Sequence, residues 1–414
     1  MDPRPDGQKS NEATSSLRPL RLHVTPTAEW KLRSGHPWLF SDSVVEQSRP
    51  GLTGELAVIY DRHDNFLAIG LYDPESPIRV RLLHRGKPRK VDDDFWLERF
   101  RTSVERRATL FGADTDGYRI IHGENDGWPG LVLDRYASTL VLKLYSTVWI
   151  PRLQEIANLF SREVEPTRLV LRLSRNLQAA ARGTAFTDGQ VLSGEPLDKT
   201  VVFKESGLRF EADVLRGQKT GFFLDQRENR RLVESLATNR NVLNMFSFSG
   251  GFSLYAARGG ADSVTNLDIS EHALESARRN FEINQDIPTV AACKQETVKA
   301  DAFDWVKTQT NQHFDVIIVD PPSLAKRESE RDGAIKAYAH LIFHALKKLQ
   351  PQGILVASSC SAHVSTDEFF ETVREMARQS GRPSEELQTT RHPPDHPATF
   401  AEAHYLKTIY LMLG

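Results

Sequence analysis

Two residues in the C-terminal half of the chain, Cys360 and Asp320, have side chains that could share a covalent reaction. Cys360 lies just past an apolar run that is predicted to be a strand, and Asp320 begins an Asp-Pro-Pro sequence after another such run. A thiolate that adds to carbon 6 of a pyrimidine makes carbon 5 nucleophilic enough to take a methyl group, and a carboxylate near N3 assists. The pair therefore predicts chemistry at carbon 5 of a pyrimidine. The other cysteine, Cys293, is interpreted as a small buried hydrophobe.

These residues need a scaffold that brings several strand ends together. From residue 201 onward predicted strands and helices alternate, which is typical of a parallel α/β sheet with its ligands at the carboxyl ends of the strands. The first such strand ends in a small-residue turn that contains Ser247 and Gly250. Asp268 ends the next strand, and Asp301 follows the third.

The turn at 247–251 indicates what kind of cofactor is bound. It lacks the Gly-x-Gly-x-x-Gly spacing of dinucleotide enzymes and the Gly-Lys-Ser/Thr end of a phosphate-binding loop. An adenosyl ligand without a phosphate chain fits, and S-adenosylmethionine is the predicted cofactor. Ser247 and Gly250 would face its amino-acid portion, and Asp268 the ribose hydroxyls. Asp301 would accept from the adenine amino group, with a helix N-cap as the equal alternative.

Length and composition bound the remaining possibilities. The 414 residues suffice for two or three domains, and the net charge of −2 means that any nucleic-acid partner must use local basic patches. Two cysteines make neither a disulfide framework nor a zinc site, which suits a cytoplasmic protein and predicts no metal. The sequence shows no membrane-spanning run and no leader, so no membrane partner is expected.

Changes in composition and in predicted secondary structure along the chain predict four segments. Residues 1–19 are polar and predicted to be a disordered tail. Residues 20–92 contain short strands separated by turns, as in a small β-barrel or sandwich, and carry basic residues that include Lys31 and Arg33. Those cations are interpreted either as phosphate contacts or as a solvated rim, at even odds. Residues 93–200 are predicted to be a small central α+β domain, and residues 201–414 the α/β domain.

Several motifs taken together resemble one known family. They are Lys-Thr-Gly-Phe-Phe-Leu-Asp-Gln-Arg at 219–227, Asn-Met-Phe-Ser-Phe-Ser-Gly-Gly-Phe at 244–252, Asp-Pro-Pro at 320–322 and Ser-Cys-Ser at 359–361. Their order is similar to that of the RlmI-type family of S-adenosylmethionine-dependent methyltransferases, which make 5-methylcytosine in large-subunit (23S) ribosomal RNA. Residues 35–40 resemble that family's RNA-binding PUA domain, and residues 122–131 its small central domain.

The resemblance implies a fold, a reaction and a set of site residues. The fold would be a Rossmann-like class I methyltransferase domain preceded by a PUA-like β-barrel and a central α+β domain. Cys360 would be the nucleophile and Asp320 the carboxylate beside the base, and the segment at 220–227 would close over the cofactor. The implied cofactor residues are Thr220, Phe222, Asp225, Ser247, Gly250, Asp268 and Asp301, and the implied RNA contacts are Lys31, Arg33, His36, Trp38, Pro321 and Pro322.

Some questions stay open at this point. Pro322 stands where the wider class of 5-methylcytosine enzymes often carries a second cysteine, so the base that removes the carbon 5 proton is not identified. A guanine methyltransferase of the same fold and a non-catalytic RNA-binding assembly factor are the alternative functions. The proline-rich loop at 391–400 has no assigned chemistry; it is predicted to be exposed, with a wall that faces the substrate as the alternative. A homodimer is left open.

Overall fold

The computed structural model describes residues 19–308 and 312–414, which form two compact units that meet in sequence between Arg89 and Lys90. The tail predicted for residues 1–19 lies outside the described residues apart from Pro19. The predicted boundaries at 92 and 200 stay a prediction. Among the described residues no helix is both long and apolar enough to cross a membrane.

The first unit is built on a six-stranded sheet. Its strands are β1 (Leu20–Val24), β2 (Trp38–Phe40), β3 (Val44–Gln47), β4 (Leu56–Tyr60), β5 (Phe66–Tyr72) and β6 (Ile78–Arg85), in the order β2-β6-β5-β4-β1-β3. β1 and β4 are parallel, and the other neighbours are antiparallel. The alternating residues Leu20, Leu22 and Val24 of β1 point into the core, as a two-residue period requires. Helix α1 (Pro26–Arg33) begins at an N-cap provided by Thr25.

A five-stranded sheet opens the second unit. Its elements are α2 (Asp93–Glu105), β7 (Gly117–His122), β8 (Leu131–Tyr136), β9 (Thr139–Leu144), α3 (Leu153–Val164), β10 (Arg168–Leu173), α4 (Arg175–Ala180) and β11 (Val191–Gly194), with the strand order β11-β10-β9-β8-β7. Trp96, Trp128 and Trp149 are buried together in its core. We call this the central sheet.

A seven-stranded sheet follows a hairpin of β12 (Val201–Glu205) and β13 (Leu208–Ala212) and the helix α5 (Arg227–Ser235). Its elements are β14 (Asn241–Met245), α6 (Gly251–Arg258), β15 (Ser263–Asp268), α7 (Glu271–Glu282), α8 (Pro288–Ala292), β16 (Lys294–Lys299), α9 (Ala302–Trp305), β17 (Phe314–Val319), α10 (Arg331–Lys347), β18 (Leu349–Ser359), α11 (Thr366–Gln379), β19 (Ser384–Thr390) and β20 (Lys407–Leu413). The strand order is β16-β15-β14-β17-β18-β20-β19. The first five strands are parallel, and β20 and β19 continue the sheet in antiparallel fashion.

The five inner strands of the seven-stranded sheet, β15, β14, β17, β18 and β20, are largely buried on both faces, whereas the edge strands β16 and β19 are mostly exposed. Val242 belongs to the apolar core that includes α6, and the next residue, Leu243, belongs to the opposite core, which includes α10 and α11. Because consecutive side chains of a strand point to opposite faces, such strands are apolar almost throughout. Asp268, Asp320 and Cys360 all lie at the carboxyl ends of these strands.

Candidate active site

The two candidate catalytic residues follow neighbouring strands. Asp320 comes directly after β17 and Cys360 directly after β18, and these strands are parallel partners. The Ser361 hydroxyl ties the two strand ends together, because it accepts hydrogen bonds from the backbone N–H groups of Leu324 (3.0 Å) and Ala325 (3.3 Å). The Cys360 sulfur lies 4.0 Å from the carbonyl oxygen of Pro321. The structure thus brings Cys360 and the Asp-Pro-Pro turn together.

The surroundings of the two residues raise the pKa of each side chain. Burial raises the pKa of the Cys360 thiol to about 11, although the nearby Lys219 ammonium acts in the opposite direction. Burial and the neighbouring carboxylate of Asp225 raise the pKa of Asp320 to about 7. Both side chains nevertheless keep part of their surface exposed. At neutral pH the thiol is protonated and Asp320 exchanges its proton readily, which suits a proton carrier.

A second cluster, which the sequence did not predict as a unit, lies beside Cys360. It consists of Lys219, Asp225 and Tyr405, and we call it the Asp225 cluster. The Lys219 ammonium and the Tyr405 hydroxyl each donate to Asp225 Oδ2 at 2.8 Å. Tyr405 comes just before β20, whose Lys407 pairs with Ser359 of β18, so it reaches the Cys360 end of the sheet. Tyr405 stands apart from the sequence motifs, and only the pairing of β20 with β18 locates it.

The cofactor loop between β14 and α6 has an unusual backbone. Phe246 and Phe248 take positive φ values of 60° and 48°, and Gly250 one of 74°. A Cβ atom at Gly250 would lie 2.9 Å from the Cβ atom of Ala277, so the turn has room for glycine alone. The Ser247 hydroxyl is buried without a hydrogen-bond partner among the described residues. A strained loop that presents an unpaired polar group fits a ligand that supplies the missing partner.

The two acidic residues predicted to contact the cofactor lie at the ends of β15 and β16. Asp268 stabilises the loop, because its carboxylate accepts from the backbone N–H of Phe248 and of Ser270, each at 2.9 Å. Asp301 is the N-cap of α9 and accepts from Phe303 N at 2.7 Å. The exposed apolar side chain of Ile269 adjoins Asp268. Each carboxylate oxygen can accept more than one hydrogen bond, so these contacts leave capacity for a ligand.

The segment at 220–227 contacts both the central sheet and the cofactor loop. The Thr220 hydroxyl bonds to Asp134 Oδ2 (2.6 Å) and to the Tyr136 hydroxyl (2.9 Å), both on the central sheet. Phe222 is buried in the hydrophobic core, and the ring of Phe223 packs edge-on against Phe248 of the cofactor loop, 5.0 Å between centroids. The segment therefore reaches from the central sheet to the loop.

The proline-rich loop at 391–400 differs from its predicted exposure. Asp395 and His396 are fully buried, and Asp395 accepts from Arg227 (2.6 Å) and from the backbone N–H of Arg119 (3.0 Å). Burial by itself would raise the pKa of Asp395, but the adjacent His396 ring and the Arg227 guanidinium hold it well below its usual range. The expectation of an exposed loop was wrong for these two residues, because their partners lie far away in sequence.

The residues proposed as RNA contacts fall in both units. In the first unit Lys31 is exposed, Arg33 is paired with Glu29 (3.1 Å) and Asp61 (2.9 Å), and the rings of His36 and Trp38 pack edge-on. In the second unit Pro321 is buried and Pro322 is exposed beside Asp320. A search of the described residues for three or more His, Cys, Asp or Glu side chains that could hold a metal ion found no such group.

Comparison with known proteins identifies the family. A family model described as "S-adenosylmethionine-dependent methyltransferase" matches residues 118–411, and one described as "PUA-like domain" matches residues 22–85. The chain belongs to this methyltransferase family. S-adenosylmethionine is therefore its cofactor, as the loop at 247–251 predicted. The methyltransferase fold with an N-terminal PUA-like domain is confirmed as well.

Relatives that match nearly the whole chain carry more specific names. A "Ribosomal RNA large subunit methyltransferase" of Deinococcus radiodurans is 55% identical over 406 residues, covering 96% of this chain and 98% of the relative. A "Ribosomal RNA large subunit methyltransferase I" of Photobacterium profundum is 34% identical, covering 93% of this chain and 97% of the relative. The resemblance to the RlmI-type family is confirmed by these relatives.

Solved structures agree on the fold. A candidate S-adenosylmethionine-dependent methyltransferase from Streptococcus mutans gives a TM-score of 0.79 at 23% identity and covers 95% of this chain and 100% of its own. SMU.776, a candidate methyltransferase solved in complex with SAH, gives a TM-score of 0.81 with the same identity and coverage. The similarity at this level of identity concerns the fold alone.

Proposed function

We propose that this methyltransferase acts on large-subunit ribosomal RNA and methylates carbon 5 of a cytosine through a covalent bond between Cys360 and carbon 6. The names of the relatives support ribosomal RNA of the large subunit as the substrate. The observation that supports the cytosine reaction is the position of Cys360 beside Asp320 at adjacent strand ends. Methylation of an exocyclic nitrogen would need no thiol in this position.

The cofactor occupies the β14–β15 side of the cleft in this proposal. Ser247 and Gly250 lie against its amino-acid portion, Asp268 accepts from the ribose hydroxyls, and Asp301 accepts from the adenine amino group. The unpaired Ser247 hydroxyl supports the first contact, and the exposed Ile269 beside Asp268 supports an adjacent flat ring. Bound there, S-adenosylmethionine supplies an electrophilic methyl group to the cleft above β17.

The proposed reaction consists of the following proton transfers and bond changes. The thiol proton passes through Asp320 to N3 of the cytosine as the Cys360 sulfur bonds to carbon 6. Asp320 suits this transfer because its pKa of about 7 lets it release and accept a proton at neutral pH. Carbon 5 then takes the methyl group as the bond from that group to the sulfonium sulfur breaks and leaves a neutral thioether. A base removes the carbon 5 proton. Finally the carbon–sulfur bond breaks, the N3 proton returns to the sulfur, and one proton is released overall.

Replacing the thiol tests this proposal. Cys360→Ala should abolish formation of 5-methylcytidine in large-subunit rRNA, measured by mass spectrometry of the nucleosides, and should leave S-adenosylmethionine binding nearly unchanged in a titration. Cys293→Ala is the matched control, because Cys293 lies buried beyond α8 and is a member of the apolar core that includes α6. Full activity of Cys360→Ala would contradict the covalent mechanism. A methylated guanosine as the product would favour the alternative guanine enzyme.

A further inference from the structure

A buried carboxylate in the cleft has one oxygen without a partner. Asp225 is 5% exposed, and its Oδ2 atom accepts from both Lys219 and Tyr405. Its Oδ1 atom is buried and has no hydrogen-bond partner in the part of the chain that the structure describes. An unpaired buried acceptor is costly, and more so when it is charged. The unpaired oxygen therefore favours a ligand that brings a donor.

Asp225 lies near the two residues that take part in the proposed reaction. Tyr405, which holds Asp225, lies at the Cys360 end of β18 and β20. The next residue along the chain, Gln226, is near enough to Asp320 to lower the pKa of that carboxyl. A pyrimidine with carbon 6 at Cys360 and N3 at Asp320 presents its carbon 4 and carbon 5 atoms between those two points. The Asp225 carboxylate is near both points, because it raises the pKa of Asp320 and of Cys360.

Cytosine offers only one group that such an oxygen can bind. Its O2 and N3 atoms are acceptors, and its 4-amino group is its donor. Burial alone would raise the pKa of Asp225, but the Lys219 ammonium outweighs it and holds the pKa far below the usual range. The carboxylate therefore stays ionised and can only accept. Uracil carries an oxygen at carbon 4, which would meet the carboxylate with like partial charge.

We propose that Asp225 selects cytosine over uracil by accepting a hydrogen bond from the 4-amino group at its Oδ1 atom, with Lys219 and Tyr405 positioning the carboxylate. The inference rests on the proposed reaction at carbon 5 and adds how the pyrimidine is chosen. It assigns to the base a residue that the resemblance to the family implied as a cofactor contact. Because Oδ1 is closed to solvent in the chain alone, the base must displace a neighbouring side chain as it enters.

The variant Asp225→Asn tests the choice of base, because an amide can donate to the uracil oxygen. The nucleotide that the wild-type chain methylates is first mapped on a large-subunit rRNA transcript, and a second transcript carries uracil there. The wild-type chain should strongly prefer the first. The loss of one charge-assisted hydrogen bond should lower the ratio of kcat/KM for cytosine over uracil by about 10- to 100-fold in Asp225→Asn, with 5-methyluridine appearing by mass spectrometry.

The control is Glu211→Gln, which removes another buried carboxylate of the same unit whose partners are Arg279 and Ser276. It should leave the ratio unchanged. An unchanged ratio in Asp225→Asn would overturn the inference while leaving the proposed function intact. If the wild-type chain forms no 5-methylcytidine, both fall together. Should Asp225→Asn transfer no methyl group to either transcript, competition between the two transcripts for binding decides, and an undiminished preference for cytosine overturns the inference.

Discussion

Replacing Asp395 with asparagine should destabilise the second unit strongly. Asp395 and Arg227 are both buried, and their closest N–O distance is 2.6 Å. Removing one partner of a buried ion pair leaves the other charge uncompensated, which typically costs about 3–5 kcal/mol. The backbone N–H of Arg119, which Asp395 Oδ2 accepts at 3.0 Å, loses a charged acceptor as well. Asp395→Asn should therefore lower the free energy of unfolding by about 3–5 kcal/mol.

Urea denaturation at pH 7 measures this change, with tryptophan fluorescence as the signal, because Trp96, Trp128 and Trp149 are buried in the same unit. The matched control is Glu375→Gln, which breaks the exposed ion pair of Glu375 with Arg378 and should leave the free energy of unfolding nearly unchanged, because solvent screens such a pair. If Asp395→Asn is no more destabilising than Glu375→Gln, the ion pair does not stabilise the fold as argued.

The same variant has a defined pH dependence. The pKa of Asp395 is held below that of an unfolded aspartate, so its contribution is fully present above the unfolded value of about 3.9 and is lost as pH falls through the folded value. The difference in unfolding free energy between wild type and Asp395→Asn should therefore be constant from pH 6 to 8. It should shrink only in acid, and a difference that vanishes at pH 6 would refute the assignment of a depressed pKa.

Two further predictions concern the cleft. The rate at which iodoacetamide alkylates Cys360, followed by mass spectrometry of the peptide, should rise about tenfold per pH unit from pH 7 to 10. The reason is that the thiol pKa is about 11 and the thiolate is the nucleophile. A rate that reaches a plateau below pH 9 would contradict that pKa. Asp268→Asn should weaken S-adenosylmethionine binding about 10- to 100-fold in calorimetry, since it loses charge-assisted hydrogen bonds, and an unchanged dissociation constant would place the ribose elsewhere.

The sequence was enough to predict which site residues follow the strands and lie at one edge of the sheet. Short apolar runs bounded by turn residues precede Ser247, Asp268, Asp320 and Cys360. Such runs are expected of strands that are buried on both faces, because those strands are apolar almost throughout. The carboxyl ends of parallel strands share one edge, so these residues could be placed together before any coordinates were known. Local pattern alone was enough for that part of the site.

The partners of the buried charged residues were not predictable in the same way. Asp395 pairs with Arg227, 168 residues earlier, and Tyr405 with Asp225, 180 residues earlier. Neither pair produces a periodic pattern in the sequence. A single charged residue in a proline-rich loop, such as Asp395, has the same sequence context whether it is exposed to solvent or paired with a distant arginine. The exposure predicted for the loop at 391–400 failed for this reason.

The central sheet, in which the sequence showed no catalytic residues, has a positioning role that the contacts make clear. The Lys143 ammonium donates to the carbonyl oxygen of Lys219 at 2.6 Å, and Asp134 accepts from the Thr220 hydroxyl. Asp134 is itself held by Arg119 through two hydrogen bonds, at 2.7 and 2.9 Å. The chain just before Asp225 is thus fixed from the central sheet, whereas the Asp225 carboxylate is fixed from β20. A displacement of the central sheet would therefore move Asp225 relative to Cys360 and, if Asp225 selects the base as proposed, would change that selection.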